Sequence, residues 1–362
     1  MIKFVNLSRE FKQLKSELIR NFVKVGLSGQ YVNGSYLKEF EEKFSKFTGV
    51  KYCVGVSSWT DGAILAFKAI ELSKNDEVIT TSNSFIASCG AIIASNSKPV
   101  LIDVDETYNT SLEIIKRSVT KKTKAIMPIY LYGRIPEDIF RIKNFCKKKK
   151  ILLIEDAAQA IGAKIKDKMA GSIGDIGIFS MHPLKNLGVY GDGGFITTNN
   201  FKIYKKLLLL RNHGLKNRDR AETWGYNARL SDLNAKFAVT KLRYLKKWNR
   251  RHVQIAQTYN KYLNDKIIKP NVSNLNNSVF HNYVIRIKKR DELKRFLLKS
   301  GIETSIHYPI PIHKQKMLKA EKIKLTNTEK FSKEMLSLPI YHTLKNKEIM
   351  YVIKKINQFV KK

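Results

Sequence analysis

Three short segments carry polar side chains of the kinds that catalysis needs, and each directly follows an apolar, β-branched run. They are residues 57–62, 155–159 and 180–187. In a parallel sheet, ligands bind at the carboxyl ends of the strands, so these segments are expected to meet at one edge of the fold. Together they offer a hydroxyl-rich helix start, a carboxylate and a lysine.

These parts match the requirements of pyridoxal 5'-phosphate. Its aldehyde needs an amine, its ring nitrogen needs a counter-ion, and its phosphate needs donors at a helix N-terminus. Lys185 is the candidate for the Schiff base with the cofactor. Asp156 is the candidate for keeping the ring nitrogen protonated, so that the ring can take up an electron pair from the substrate carbon. A single lysine in so basic a chain carries little weight, but Lys185 stands between a strand end and the glycine-rich stretch 188–194.

The elements that must position these residues alternate along the chain. Strands are predicted near residues 52–56 and at 77–80, 100–104, 125–131, 151–154, 176–179 and 195–198. Helices are predicted between them, for example at 61–71, 84–94 and 135–149. This alternation predicts an α/β fold with a parallel sheet covered on both faces.

A long amphipathic helix is predicted from the cap region 231–234 to about residue 263. The segment after it mixes a strand at 283–287 with a helix at 291–300. We therefore divide the chain into a large cofactor-binding domain with an N-terminal helical segment, residues 1–240, and a linking helix with a small C-terminal α/β domain, residues 241–362.

Residues 1–362 resemble the DegT/StrS-type sugar aminotransferases, a branch of the fold type I pyridoxal-phosphate enzymes. The motifs that carry this resemblance are EDAAQAIGA at 155–163, FSMHPLKNLGVYGDGGFITTN at 179–199, RNHG at 211–214 and GYNARL at 225–230. The resemblance implies a large domain with a mostly parallel seven-stranded sheet between helices, plus a small C-terminal α/β domain.

The same resemblance implies a role for each matching residue. Lys185 would bind the cofactor aldehyde, Asp156 the ring nitrogen and Gln159 the phenolic oxygen, while Phe85 would stack on the ring. Ser180 and the turn formed by Ser58, Trp59 and Thr60 would bind the phosphate. Asn227 would reach the phosphate of a neighbouring subunit, which implies a homodimer with shared active sites. His307 and Tyr308 would contact the substrate, and Arg229 is a candidate for a phosphate or carboxylate because its donors are planar and bidentate.

One position departs from the pattern of similar proteins. Trp59 stands where they usually have glycine before the threonine of the phosphate turn, and an indole there can crowd the anion. A β-carbon does not block a backbone amide at negative φ, so Thr60 and Ser180 remain candidate phosphate ligands. The local geometry of the phosphate site is therefore the point that the sequence leaves open.

Retention of Lys185 implies transamination, because a branch of the family with histidine at this position deoxygenates sugars instead. The expected substrates are L-glutamate and a nucleotide-linked keto-sugar, a UDP- or dTDP-3-keto-hexose, in the biosynthesis of an amino sugar for a polysaccharide or lipopolysaccharide. Three alternatives stay open: a 4-keto sugar, a keto-cyclitol without a nucleotide, and a non-catalytic regulatory or nucleic-acid-binding protein with the same fold.

Composition limits the other classes of function. The net charge is +36, but the lysines are spread along the whole chain, which argues against a nucleic-acid partner. No apolar stretch approaches the roughly 18 residues that a membrane span needs, so we expect a cytoplasmic protein without membrane insertion. No metal site or disulfide is expected from the three cysteines, Cys53, Cys89 and Cys146.

Overall fold

The computed structural model describes residues 1–270, 277–318 and 323–361. Nine strands occur in the N-terminal two thirds of the chain: β1 (Tyr52–Val56), β2 (Glu77–Thr81), β3 (Lys98–Ile102), β4 (Thr123–Met127), β5 (Leu152–Asp156), β6 (Lys164–Ile165), β7 (Lys168–Met169), β8 (Ile176–Ser180) and β9 (Gly194–Thr198). β6 and β7 pair with each other as a short hairpin. The other seven strands form one sheet in the order β1-β9-β8-β5-β4-β2-β3.

The sheet is mostly parallel, as predicted. The five strands from β8 to β3 run in the same direction, and β9 alone runs against its neighbours β8 and β1. The predicted strands at 100–104 and 125–131 are displaced: both begin two residues earlier in the structure, and they end two and four residues earlier, respectively. After β4 the chain instead enters a 3₁₀ turn, Leu131–Gly133, in which Tyr132 has a positive φ.

Helices cover the sheet and build the C-terminal part. They are α1 (Leu7–Ser28), α2 (Ser35–Thr48), α3 (Trp59–Ala69), α4 (Ala87–Ala94), α5 (Leu112–Lys116), α6 (Ile139–Lys149), α7 (Phe201–Leu210), α8 (Asp232–Tyr262), α9 (Arg290–Lys299), α10 (Thr326–Glu334) and α11 (Asn346–Lys361). A two-stranded antiparallel sheet, β10 (Tyr283–Arg286) with β11 (Met335–Leu338), packs among the last of these. None of the helices in the described ranges is both long and apolar enough to cross a membrane.

Two apolar cores lie on opposite faces of the large sheet. Successive residues of one strand point to opposite faces, and Phe179 and Phe195 belong to one core while Ile178 and Ile196 belong to the other. This explains why the strands read as continuous apolar runs: both of their faces are buried.

α8 runs from the large sheet into a third apolar core. Ala238 and Leu245 pack in the first core, whereas Ile255 and Tyr259 pack in the core formed with β10, β11 and α11. α8 therefore contributes side chains both to the core of the large sheet and to the C-terminal core. The domain boundary at residue 240 falls inside the continuous helix and stays a proposal.

Candidate active site

The carboxyl ends of β1, β5 and β8 lie at the same edge of the sheet. β1 and β8 are both antiparallel to β9 between them, and β5 is parallel to β8. A cavity of about 320 Å³ opens at this edge, and we call it the active-site cavity. It is lined by ten of the residues predicted for the site: Ser58, Trp59, Thr60, Phe85, Asp156, Gln159, Ser180, Lys185, His307 and Tyr308.

Lys185 enters the cavity from the loop that follows β8. Its backbone N–H donates to the carbonyl oxygen of His182 at 2.8 Å. Its ammonium makes no hydrogen bond or ion pair with any described residue, and the charge that attracts it is the carboxylate of Asp156. Burial lowers the pKa of Lys185, although Asp156 opposes this shift. The amine is therefore easier to deprotonate than that of an exposed lysine.

Asp156 is the last residue of β5 and is almost fully buried. The backbone N–H of Ala158 donates to its Oδ1 at 3.1 Å, and the hydroxyl of Ser88 donates to its Oδ2 at 3.4 Å. Burial raises the pKa of Asp156, while the N–H of Ala158 and then the charge of Lys185 lower it. Two opposite charges thus face one buried space without direct contact.

The orientation of Gln159 is fixed by the turn after β4. The backbone N–H of Tyr132 donates to its Oε1 at 2.6 Å. Its Nε2 faces the cavity, where it donates to the hydroxyl of Tyr308 at 3.4 Å. Gln159 therefore presents N–H donors to the cavity, which is what a phenolate oxygen of a ligand would need.

The turn at the start of α3 provides the predicted anion site. Ser58 caps this helix: its Oγ accepts from the N–H of Asp61 at 3.0 Å and donates to the Asp61 carboxylate at 2.8 Å. Because the Ser58 hydroxyl is engaged in this way, the backbone N–H groups of Trp59 and Thr60 are the donors that the helix start offers to an anion. Ser180, at the end of β8, lines the same cavity.

Gly194 allows β9 to approach this turn closely. A β-carbon on Gly194 would lie 2.6 Å from the carbonyl carbon of Ser58 and 2.8 Å from the nitrogen of Trp59. Both contacts are with backbone atoms, which cannot move aside as a flexible side chain can. Glycine is therefore required here to keep the phosphate turn in place.

Trp59 narrows one wall of the cavity without filling it. The indole is buried and belongs to the same apolar core as Val56 and Ile178. Its Nε1 is buried without a well-formed hydrogen bond within the described ranges, but its N–H lies near enough to the Asp156 carboxylate to lower the pKa of that group. The side chain that we expected to crowd the anion is thus mainly a core residue, and the cavity beside it stays open.

The segment around residue 307 returns from the C-terminal part to the cavity. The Nδ1 atom of His307 lies 2.9 Å from the Oγ atom of Ser337, and the hydroxyl of Tyr132 donates to the carbonyl oxygen of His307. The rings of Tyr308 and Phe85 lie 5.8 Å apart between centroids. Burial lowers the pKa of His307 to about 4, so its imidazole is neutral near pH 7.

Phe85 does not belong to any of the apolar cores of the described residues. Its side chain is 57% exposed and lies at the mouth of the cavity. An aromatic side chain held there by its neighbour Tyr308 is available to a planar ligand.

Asn227 and Arg229 are not among the residues that line this cavity. The Nε atom of Arg229 donates to the Oδ1 atom of Asn227 at 3.0 Å, and its Nη1 atom donates to Asn212 at 3.2 Å. The neighbouring Trp224 is 95% exposed. This placement is compatible with a role at another subunit, which was the reason for selecting Asn227.

Ser88 and His281 are two polar residues of the cavity lining that sequence analysis did not select. Ser88 contacts Asp156 and lies four residues after Ser84, so the helical period could have placed both on the cavity face. The Nδ1 atom of His281 lies 3.2 Å from the Oδ1 atom of Asn186, and burial moves its pKa well below the usual value. No local signal identifies His281, because it approaches the cavity from a segment almost a hundred residues after Lys185.

The described residues fit pyridoxal phosphate. A buried carboxylate and an amine without a hydrogen-bond partner face one cavity, and the Nε1 atom of Trp59 and the first N–H groups of α3 add donors. This is the donor set that the cofactor's ring nitrogen, aldehyde and phosphate require. Within the described ranges, no group of three or more His, Cys, Asp or Glu side chains is placed to hold a metal ion.

Comparison with known families gives one match over nearly the whole chain. The model of the DegT/DnrJ/EryC1/StrS aminotransferase family matches residues 12–357. Among solved structures, S. venezuelae DesV in complex with a ketimine intermediate superposes with a TM-score of 0.96 at 30% identity, over 100% of this chain and 99% of that chain.

Two relatives are 37% identical to this chain. One is a pleiotropic regulatory protein of Geobacillus stearothermophilus, matched over 99% of this chain and 98% of its own length. The other is a dTDP-3-amino-3,6-dideoxy-alpha-D-galactopyranose transaminase of Aneurinibacillus thermoaerophilus, matched over 99% of both chains. Further relatives are named as transaminases or aminotransferases of other dTDP- or UDP-linked sugars.

Proposed function

Because the chain belongs to the DegT/DnrJ/EryC1/StrS aminotransferase family, we propose that it transfers an amino group from L-glutamate to a UDP- or dTDP-linked 3-keto-hexose. It is a pyridoxal-phosphate-dependent sugar aminotransferase. One observation carries the catalytic part of the proposal: Asp156, at the end of β5, and Lys185, in the loop after the neighbouring strand β8, line the same cavity.

The residues around the cofactor have separate tasks in this proposal. When bound, pyridoxal phosphate supplies an aldehyde that takes up an amino group and a ring that stores an electron pair. Lys185 would hold the cofactor, and its Nζ would carry a proton between the cofactor's imine carbon and the substrate carbon. Burial favours this role because it lowers the pKa of Lys185. Asp156 holds a proton on the ring nitrogen, and Gln159 donates to the phenolic oxygen.

The position of amination is inferred from the relatives. The names of four relatives that share 31–37% identity with this chain all place an amino or keto group at C3 of the sugar. His307 and Tyr308, which return over the cavity from the C-terminal part, are the proposed contacts to the sugar, and Arg229 is the proposed contact to a phosphate or carboxylate.

A homodimer with shared sites is part of the proposal. Asn227 is exposed and lies outside the cavity of its own chain, in a surface region that also exposes Trp224 and Tyr226. Exposed aromatic side chains of this kind are typical of protein interfaces. In the proposed dimer, Asn227 reaches the cofactor phosphate in the cavity of the partner subunit.

The decisive experiment is a panel of UDP-, dTDP- and GDP-linked 3-keto and 4-keto sugars, each incubated with L-glutamate and the purified protein. Mass detection of an aminated 3-keto sugar is the expected result, and amination of a 4-keto sugar alone would replace the proposed position. A Lys185→Ala variant should lose at least about 100-fold of the rate, whereas Lys147→Ala on the exposed end of α6 should keep it. Turnover by Lys185→Ala at the parent rate would refute the role of this lysine.

A regulatory function is the second candidate, because one relative at 37% identity is named as a regulatory protein and the net charge is +36. The retained pair Lys185 and Asp156 favours catalysis. The two candidates differ in a simple measurement: the enzyme should gain visible absorbance with pyridoxal phosphate. A DNA-binding regulator should instead bind DNA tightly, with an affinity that falls steeply as salt rises.

A further inference from the structure

The loop that carries Lys185 makes hydrogen bonds to side chains of α8. This loop, residues 181–193 between β8 and β9, is called the lysine loop below. On α8, the Nζ atom of Lys241 donates to the carbonyl oxygen of Gly188 at 2.6 Å, and the Oδ1 atom of Asn249 accepts from the Nδ2 atom of Asn186 at 2.8 Å. The two α8 residues are eight positions apart, a little over two helical turns, so they lie on one face.

Lys241 is buried with a full set of partners. It is 3% exposed, forms an ion pair with Glu10 of α1 at 2.6 Å, and lies 4.7 Å from the ring centroid of Tyr190. Burying an ammonium group is costly unless its charge and its donors are satisfied. The Glu10 carboxylate, the Gly188 carbonyl and the Tyr190 ring meet these needs together, so the contact is specific.

Contacts within the lysine loop couple the position of Gly188 to the position of Lys185. A β-carbon on Gly188 would lie 2.4 Å from the carbonyl oxygen of Pro183, so the chain touches itself on both sides of Lys185. The base of the loop is joined by backbone hydrogen bonds from Met181 to Gly193 at 2.7 Å and from Val189 to Met181 at 2.9 Å. Moving Gly188 would therefore move Lys185.

Asn249 connects the same loop to the segment that follows Asp156. Its Nδ2 atom donates to the carbonyl oxygen of Ile161 at 2.9 Å, while its Oδ1 atom accepts from Asn186, the residue next to Lys185. One side chain of α8 thus contacts both polypeptide segments that supply the reactive pair. Asn186 also contacts the C-terminal part: its Nδ2 atom donates to the carbonyl oxygen of Val279 at 3.4 Å, and its Oδ1 atom lies 3.2 Å from the Nδ1 atom of His281.

We propose that Lys241 and Asn249 are positioning residues, which set the distance between Lys185 and Asp156 by holding the lysine loop against α8. The Glu10–Lys241 ion pair makes this position depend on the docking of α1 onto α8. The effect on catalysis rests on the function proposed above. The effect on the loop itself does not, and it can be measured separately.

The test compares Lys241→Met with Lys236→Met in the protein loaded with pyridoxal phosphate. Lys236 is a matched control on the same helix: it pairs with Glu39 at 2.9 Å and lies 4.9 Å from the ring of Tyr36, but those partners belong to α2. Amide hydrogen exchange of residues 184–190 should rise about tenfold or more in Lys241→Met and remain unchanged in Lys236→Met. The kcat value should fall by about tenfold to a hundredfold with little change in KM, because the loss is one of geometry.

Two further variants separate the contact from the charge. Lys241→Gln keeps a donor for the Gly188 carbonyl, so amide exchange in the lysine loop should be as slow as in the parent. Asn249→Ala should raise the exchange of the same amides, and it provides a test even if Lys241→Met does not fold. The midpoint of the pH titration of the cofactor's absorbance should shift in Lys241→Met and Asn249→Ala alone. If amide exchange and the titration midpoint are unchanged in both Lys241→Met and Asn249→Ala, the proposal is overturned. It is also overturned if the amides of the lysine loop exchange as fast in Lys241→Gln as in Lys241→Met. If no keto-sugar is turned over, the exchange data still decide the positioning role.

Discussion

Burial acts on Lys185 and Asp156 in a way that suits one ligand between them. It lowers the pKa of the amine and raises the pKa of the carboxyl, and each charge partly restores the other. Neither group is neutralised by a direct ion pair, since the carboxylate is satisfied by Ala158 and Ser88. A ligand that offers one electrophilic carbon and one basic ring nitrogen would satisfy both groups at once.

Trp59 lines the active-site cavity and also packs in an apolar core. Restoring the glycine of similar proteins with Trp59→Gly is expected to lower the free energy of unfolding by about 3 to 5 kcal/mol, because it leaves a cavity in a packed core. Urea unfolding measures this loss. Cofactor affinity should change little, since the backbone N–H groups of the turn remain.

The control for this change is Leu298→Ala, which removes an exposed apolar side chain on α9 and should alter stability by less than about 0.5 kcal/mol. Trp59→Phe, which keeps an aromatic ring in the core, should fall between the two. A Trp59→Gly protein as stable as the parent would contradict the assignment of the indole to the core.

At the scale of elements, α8 also caps another helix. Asp232, at its first turn, is fully buried and accepts the backbone N–H groups of Gly34 at 2.8 Å and of Tyr36 and Leu37 at 3.1 Å each. Asp232→Ala would leave three donors at the start of α2 without a partner. We expect a loss of about 2 to 4 kcal/mol in the free energy of unfolding.

The matched control is Asp167→Ala, since the Asp167 carboxylate is fully exposed and its nearest cation, Lys164, lies 3.8 Å away. A surface pair of this kind contributes little, so the control should change stability by less than about 0.5 kcal/mol. Equal effects of the two substitutions in urea unfolding would show that the cap is unimportant.

Much of this architecture could be predicted from local pattern. Buried strands of five residues bounded by polar turns can be recognised as apolar runs, and the motifs predict that Lys185 and Asp156 follow two different strands at one edge of the sheet. The direction of β9 could not be predicted, because a strand buried on both faces has the same pattern whichever way it runs. The start of α3 was placed at residue 61 instead of Trp59, since Ser58 was not recognised as its N-cap.

The parts of the site that local pattern could not predict depend on distant segments. His281 reaches the cavity through its contact with Asn186, and Lys241 reaches the lysine loop across more than fifty residues. Neither position has a spacing or composition that marks it. Such contacts are set by tertiary packing, which periodicity does not report.

For the whole molecule, buried histidines set the response to acid. Burial lowers the pKa of His252 to about 4, and its Nδ1 atom lies 3.0 Å from the carbonyl oxygen of Phe280. The pKa in an unfolded chain is about 6.5, so between these two values the unfolded state binds more protons. The stability contributed by neutral His252 is present above the unfolded value and is lost as the pH falls. His281 and His307 are shifted in the same direction.

His252→Gln is expected to remove about 2 kcal/mol of the stability loss that accompanies a change from pH 7 to pH 5. The glutamine amide can still donate to Phe280 but does not titrate. Urea unfolding of both proteins at the two pH values measures the difference. Burial raises the pKa of Glu155, which acts in the opposite sense, so the comparison of variant with parent is the informative quantity. An identical pH dependence in the two proteins would refute the assignment.

The three tryptophans of the chain occupy very different surroundings, since Trp59 and Trp248 are buried whereas Trp224 is almost entirely in contact with solvent. Indole fluorescence shifts to shorter wavelengths when water is removed from the ring. A protein carrying Trp59→Phe and Trp248→Phe would therefore emit from a single indole three residues from Asn227. Its emission maximum, and its accessibility to a dissolved quencher, would report directly on whether a second subunit covers that surface.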